Sequence, residues 1–215
     1  IYYQMLNAGI KMPASTGSDW YICSANRVYS LSQPKFDYGS WLDSFKAGKT
    51  FISNGPALFL TIDDGMPGDT IQIDRDSTVS AAVSWKSHYR VQLLEIVKNG
   101  QVIHTEKFPQ GKTEGSLNLS VEINDDSWIA ARLFSDIRDS YLQPQFAHTS
   151  PVYFETGNKS VEYYESSKKF HQQIDKSLSW VGTKGRFYSD KQRNEIEDLY
   201  KQAASIYEKQ LKMKS

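Results

Sequence analysis

The amino-acid sequence predicts an α+β chain: an antiparallel β-sandwich, preceded by the closing piece of a separate domain and followed by a helical hairpin. Between residues 57 and 155, short runs such as ALFLTID (57–63), TVSAAVSW (78–85) and SWIAARLF (127–134) alternate apolar and polar residues. That is the period of half-buried strands. Asn99-Gly100, between two such runs in VKNGQV, fits a two-residue type I′ hairpin, which needs positive φ at both central positions. After about Gly157 the apolar spacing lengthens to that of helices.

The elements follow in order. Tyr2, Met5 and Leu6 stand at helical spacing, and Gly9 is a C-terminal stop. Pro13 breaks the run, and the small residues 14–18 lead to Asp19. Residues 39–48, GSWLDSFKAG, read as a short amphipathic helix with Trp41, Leu42 and Phe45 on one face and Gly48 closing it. A strand-like KTFIS then meets the turn Asn54-Gly55-Pro56. Further strand runs are expected at 69–74, 91–97, 101–108, 116–123 and 151–155, with a loop around His88 and an irregular stretch over 135–146. A helix over 159–181 carries Phe170, Ile174, Leu178 and Val181, and Gly182 and Gly185 are expected to end it. A second helix starts near Ser189, a cap, with Ile196, Leu199, Ala203 and Ile206 in its apolar stripe. The changes of texture divide the chain into 1–56, 57–156 and 157–215. Two amphipathic helices with a short glycine-containing link suggest an antiparallel pair.

Composition narrows the function. Lys+Arg and Asp+Glu each total 25, so the formal charge is zero and no net field draws the chain to nucleic acid. No apolar run approaches the roughly 20 residues that cross a bilayer as a helix. Cys23 is the one cysteine, which excludes an internal disulfide and a cysteine-based zinc site but does not fix a compartment. The sequence opens at Ile1 inside an apolar, tyrosine-rich segment, as the C-terminal part of a longer protein would.

Few residues carry a chemical signal. Asp19, after Gly17-Ser18, is a carboxylate with little steric competition around it, suited to a divalent ion, although turns and caps use the same pattern. The four histidines form no HxH, HxxxH or HExxH. His148 stands apart, in AHTSPVY after the irregular stretch, and Arg27 lies close to Asp19 in sequence. No G-x-S-x-G, Walker loop or G-x-G-x-x-G occurs. Asp125-Asp126 reads either as a calcium ligand pair or as a polar hairpin tip. Trp85, Tyr89, Trp128 and Tyr141 read either as a sugar-stacking platform or as sandwich core.

Several segments together resemble the C-terminal half of CehA/McbA-type metallohydrolases of the PHP (polymerase and histidinol phosphatase) superfamily. They are LNAGIKMPASTGSDWY, NRVYS, WLDSFKAGKTFISNGPALFLTIDDGMPGD, VKNGQVI, DDSWIAARL, AHTSPVYF and GRFYS…EIEDLYKQAASIYE, in order along nearly the whole chain. The resemblance implies that residues 1–56 are the C-terminal remnant of a PHP-type α/β barrel lying mostly upstream of Ile1. It implies a parent enzyme that hydrolyses an ester, amide, carbamate or phosphoester of a small-molecule substrate with divalent metal ions. Asp19 matches the aspartate that a late strand supplies to the metals, while Arg27 and His148 become candidates for substrate binding. Two departures stand out: the earlier ligands are absent, and Trp20-Tyr21 follow Asp19 where other PHP proteins have a histidine. A lone carboxylate holds divalent metal weakly, so this piece by itself is expected neither to bind metal tightly nor to catalyse. Two other classes stay open, a carbohydrate- or ligand-binding sandwich module and a structural or oligomerisation domain, the latter compatible with a homo-oligomer.

Overall fold

The computed structural model describes residues 1–17, 24–31 and 36–213. The protein is mixed α+β, with a large β-sheet and two long C-terminal helices. Its elements are α1 (Tyr2–Asn7), β1 (Arg27–Ser30), α2 (Tyr38–Lys46), β2 (Thr50–Ser53), β3 (Ala57–Ile62), β4 (Thr70–Gln72), β5 (Ser77–Lys98), β6 (Gln101–Ile123), β7 (Ser127–Arg138), β8 (Pro144–Thr149), β9 (Val152–Glu155), α3 (Val161–Lys184) and α4 (Asp190–Lys212). They form two compact units, one of Ile10–Asn158 and one of Ile1–Gly9 with Lys159–Ser215.

In the first unit the strands run β1-β2-β8-β7-β5-β3, with β6 on β5 and β9 on both β7 and β4. Every pair is antiparallel except β4 with β9, a departure from an all-antiparallel sheet. The centre is the long β5–β6 hairpin. Asn99 and Gly100 turn it with φ of 48° and 83°, the positive values a type I′ turn requires. Asn99 also ties the turn down: its amide N–H donates to the Trp128 carbonyl at 3.1 Å, and its side-chain oxygen accepts from the Trp128 N–H at 3.0 Å.

β5 uses one flank for two different neighbours. Residues 81–86 pair with β3, whereas 93–98 pair with β7. Register shifts between Lys86 and Leu93 separate the two halves. Their effect shows in the parity of burial: Val79, Ala81, Val83 and Trp85 face the core before the irregularity, and Leu94 and Ile96 after it. An uninterrupted strand would have turned the second set to solvent, because alternate residues point to opposite faces. The bulge keeps both halves facing one apolar cluster, to which β3 adds Leu58, Leu60 and Ile62, β7 adds Ile129 and Leu133, and β9 adds Phe154. Each fully buried aliphatic or phenyl side chain contributes about 1.5–3 kcal/mol. Gly115, opposite Trp85, leaves room for the indole; a Cβ there would fall 2.4 Å from the ring.

The structure corrects several local expectations. His88 lies within β5 and not in a loop, since the two apolar runs that flank it belong to one bent strand. Likewise 101–108 and 116–123 are one strand, β6, through Pro109 and Gly111. Most of 135–146 is ordered, as the end of β7 and the start of β8 around a turn at Asp139. Trp85 and Trp128 are only 3% and 2% exposed, so they belong to the buried interior and offer no stacking surface.

In the second unit α3 and α4 run antiparallel, as three pairings along their length record. Phe170 meets Tyr207 (ring centroids 5.6 Å), Ser167 donates to Gln210 at 2.8 Å, and the Tyr164 hydroxyl donates to the Met213 carbonyl at 3.4 Å. Ser160 and Ser189 cap the two helices, accepting from the Tyr163 and Gln192 amides. Gly182, expected to break α3, is helical; the helix stops at Gly185 instead. Glycine inside a helix costs only about 1 kcal/mol, less than the packing on either side supplies.

Two glycines allow a clean test of crowding. Gly68 and Gly157 have φ of +90° and +84°, but a Cβ on Gly68 would sit 1.9 Å from the Ala47 carbonyl oxygen, while none of the described atoms lies within 4 Å of one on Gly157. Gly157→Ala should therefore cost only the left-handed backbone penalty, about 1–2 kcal/mol. Gly68→Ala should exceed it by at least ~2 kcal/mol, because backbone must move. Urea unfolding midpoints at unchanged slope measure both; equal costs would refute this account of the α2–β4 contact.

Candidate functional site

The segment that delivers Asp19 is clamped to the sheet by polar groups from distant parts of the chain. Lys11 bonds Glu155 at 2.6 Å and Thr70 at 3.0 Å, and the Met12 amide donates to the Tyr153 hydroxyl at 3.1 Å. At the deepest point the Ala14 amide donates to Ser150 Oγ at 2.8 Å. Ser150 Oγ lies 2.7 Å from Thr50 Oγ1, which also donates to the Ala14 carbonyl at 3.4 Å. Thr50 and Ser150 are 3% and 0% exposed, so this hydroxyl pair satisfies buried polar groups that water cannot reach. The Lys11 ammonium, then the Gln72 amide, hold the Glu155 carboxyl below its ordinary pKa, and burial pushes the Tyr153 phenol up. Asp19 itself, like Cys23, lies outside the described residues.

Beside this clamp an apolar cleft of about 620 Å³ opens between β1 and β2 on one side and β3 on the other. Tyr29 and Phe51, direct cross-strand partners, stack at 4.7 Å with their planes 9° apart. Phe59 of β3 meets Phe51 edge-on at 5.7 Å. Tyr29 and Phe59 are each about half exposed, Lys49 stands at the rim, and the Ser30 hydroxyl is buried without a partner among the described residues. The volume falls within the range of small-molecule sites, and apolar walls with a few polar groups are their usual lining. RVYS and TFIS are too short and show no alternation that would single out these side chains, and sequence could not reveal that β3 would face them.

Arg27 and His148 do not share a face. Arg27 pairs with Ser53, which pairs with Ala147, the row that continues to the buried Leu133. His148 belongs to the alternate row, between Ile52 of β2 and Arg132 of β7. Arg27 is exposed and spends one guanidinium nitrogen on the Ser24 and Asn26 carbonyls, at 2.7 and 2.8 Å. Arg132 in turn reaches Glu95 of β5 at 2.7 Å, in a pair mostly removed from solvent. His148 Nδ1 lies 2.6 Å from the Thr149 carbonyl. Burial, with a smaller contribution from the Arg132 charge, lowers its pKa to about 4, so the ring is neutral at physiological pH.

Asp126 carries no sign of calcium chemistry. Its carboxylate accepts from the Thr156 and Gly157 amides at 2.7 and 3.0 Å and anchors the chain after β9. Among the described residues no group of three or more His, Cys, Asp or Glu side chains is arranged to hold a metal ion. The described residues therefore do not by themselves fit a metal centre.

No protein-family model matches the chain, and no curated protein matches it. Among solved structures it is similar to a Niemann-Pick type C2 protein from Japanese carpenter ant, at 12% identity and a TM-score of 0.26, over 45% of this chain and 89% of that one. It is also similar to a Jonesia denitrificans lytic polysaccharide monooxygenase solved by neutron crystallography, at 14% identity and a TM-score of 0.25, over 71% of this chain and 94% of that one.

The His148 environment predicts an acid limb in stability. The folded protein binds this proton less readily than the unfolded chain, whose histidine titrates near 6.5. The contribution is full above about pH 6.5 and is lost as pH falls toward about 4, at most about 3 kcal/mol, reduced where the ring edge meets water. The ring carbon and nitrogen NMR shifts of His148 should stay constant from pH 8 to 5.5, and His148→Gln should flatten this part of the stability profile. A midpoint near 6.5 would show the ring to be solvated.

Proposed function

We propose that this chain is the C-terminal portion of a metal-dependent hydrolase of the PHP superfamily. In this reading the strands from β3 onward fold over their common core as a β-sandwich, and residues 1–56 close a barrel whose other strands lie upstream. The observation that carries it is the clamp on residues 11–14. A loop that merely joined α1 to β1 has no need of four anchors drawn from β2, β4, the β8–β9 corner and the end of β9, whereas a segment holding a ligand in register does. Asp19 would be one metal ligand, and the remaining ligands would come from the upstream barrel. Because Arg27 and His148 belong to alternate rows of the sheet, the two would not serve one substrate pocket together. The described residues supply no catalytic step, and the role proposed for this portion is to position Asp19 and wall the substrate.

A second reading, a ligand-binding module, draws on the Tyr29–Phe51–Phe59 cleft, which exists without any metal.

In the full-length parent, Asp19→Asn should lower metal content, measured by elemental analysis, and ester or phosphoester hydrolysis by about 10–100-fold, the usual effect of weakening metal ligation. Circular dichroism should show the sheet intact. Thr50→Val, which breaks the clamp without touching a ligand, should lose about 1–3 kcal/mol of stability and part of the activity together. Full hydrolysis by Asp19→Asn, or an upstream sequence without histidine and carboxylate ligands, would leave the binding module as the better reading.

A further inference from the structure

The second unit leaves one side of α4 uncovered. Leu199, Ile206 and Met213 are 65%, 56% and 65% exposed and follow one another at intervals of seven residues. Seven residues are almost two helical turns, so the three stand in a line along the helix. They flank the seam with α3, where Tyr207, Gln210 and the buried Ala204 are engaged. Next to this line runs a second with the same spacing: Glu195, Gln202 and Lys209, an acid, a neutral amide and a base. Glu195 reaches the exposed Lys191 at 3.9 Å.

This order of charges is self-complementary under a two-fold axis. If a second α4 lies antiparallel with the axis beside Gln202, Leu199 of one copy comes within one residue's rise of Ile206 of the other, and Ile206 of Leu199. Glu195 then faces Lys209 at both ends, and the two Gln202 amides meet at the centre. A parallel pairing would set Glu195 against Glu195 and Lys209 against Lys209. We infer that α4 docks on α4 of a second copy of this chain, forming an antiparallel two-fold dimer through the Leu199–Ile206 line. Such an isologous contact closes on itself, so it stops at two copies. A single helix pair buries less than a standard interface, the size class of weak, transient contacts.

Sedimentation equilibrium of the 215-residue chain over a dilution series tests this. The apparent mass should rise toward twice the monomer with concentration, and Ile206→Lys should hold it at the monomer with helicity unchanged. Glu195→Lys and Lys209→Glu should each weaken dimerisation by about tenfold, since each places like charges at both ends of the helix pair. The double variant, with the charges exchanged, should regain wild-type association. Recovery separates a charge-registered interface from a merely sticky stripe. A chain that stays monomeric at the highest concentration, a dimer indifferent to Ile206→Lys, or a double variant weaker than either single one would overturn the proposal.

Discussion

The register shift in β5 is the constraint on which the sheet depends. One strand of 22 residues pairs first with β3 and then, on the same flank, with β7. A strand can serve two neighbours in this way only if its inward face is preserved across the change. Alternation makes that impossible without an extra residue, because parity would leave Leu94 and Ile96 in water. With the irregularity between Lys86 and Leu93, the residues on either side reach a single cluster with Leu58, Leu60, Ile129 and Leu133. β6 follows β5 over both halves and covers its other flank.

The second organising feature is polar. Thr50 and Ser150 lie 100 residues apart, in segments whose backbones also bond each other, Ser150 N to the Thr50 carbonyl at 2.8 Å. Their hydroxyls satisfy both polar groups of Ala14, so an extended segment with no ladder of its own becomes part of the buried structure. Hydroxyls suit this task because each can donate and accept, and they carry no charge to desolvate. Carboxylates near the same segment stay outside, where Glu155 meets Lys11 in water and contributes little to stability.

Local chemistry was legible in the sequence where one stretch of chain decides the outcome. Asn99-Gly100, the cap Ser189 and the stop at Gly48 all rest on neighbours in sequence, and each stands where its residues indicated. The bend in β5 was not legible, because the polar run at 86–90 that reads as a loop is a strand passing from one partner to another. Nor did periodicity reveal that Trp85 and Trp128 would be interior, since an alternating strand shows which residues share a face but not which face is covered. For the site the limit is similar. The sequence sets His148 before a strand, after an irregular stretch, yet it lies within β8, as Arg27 lies within β1; only the pairing of Arg27 with Ser53 and of Ile52 with His148 reveals that they diverge.

That divergence bears on how any site here must be built. A sheet presents two faces, and a pocket can recruit alternate residues from several strands but not adjacent rows of one. On one face lie Tyr29 and Phe51, with Phe59 closing the cleft from β3. On the other, Glu95, Arg132 and His148 form a row across β5, β7 and β8 in which the Arg132–Glu95 pair is already satisfied. The imidazole beside a guanidinium that is already committed resists accepting a proton, because burial disfavours the charged ring and a second positive charge would stand next to the first. The aromatic face offers mainly apolar contact area, with Lys49 at its rim, and suits recognition of an apolar group.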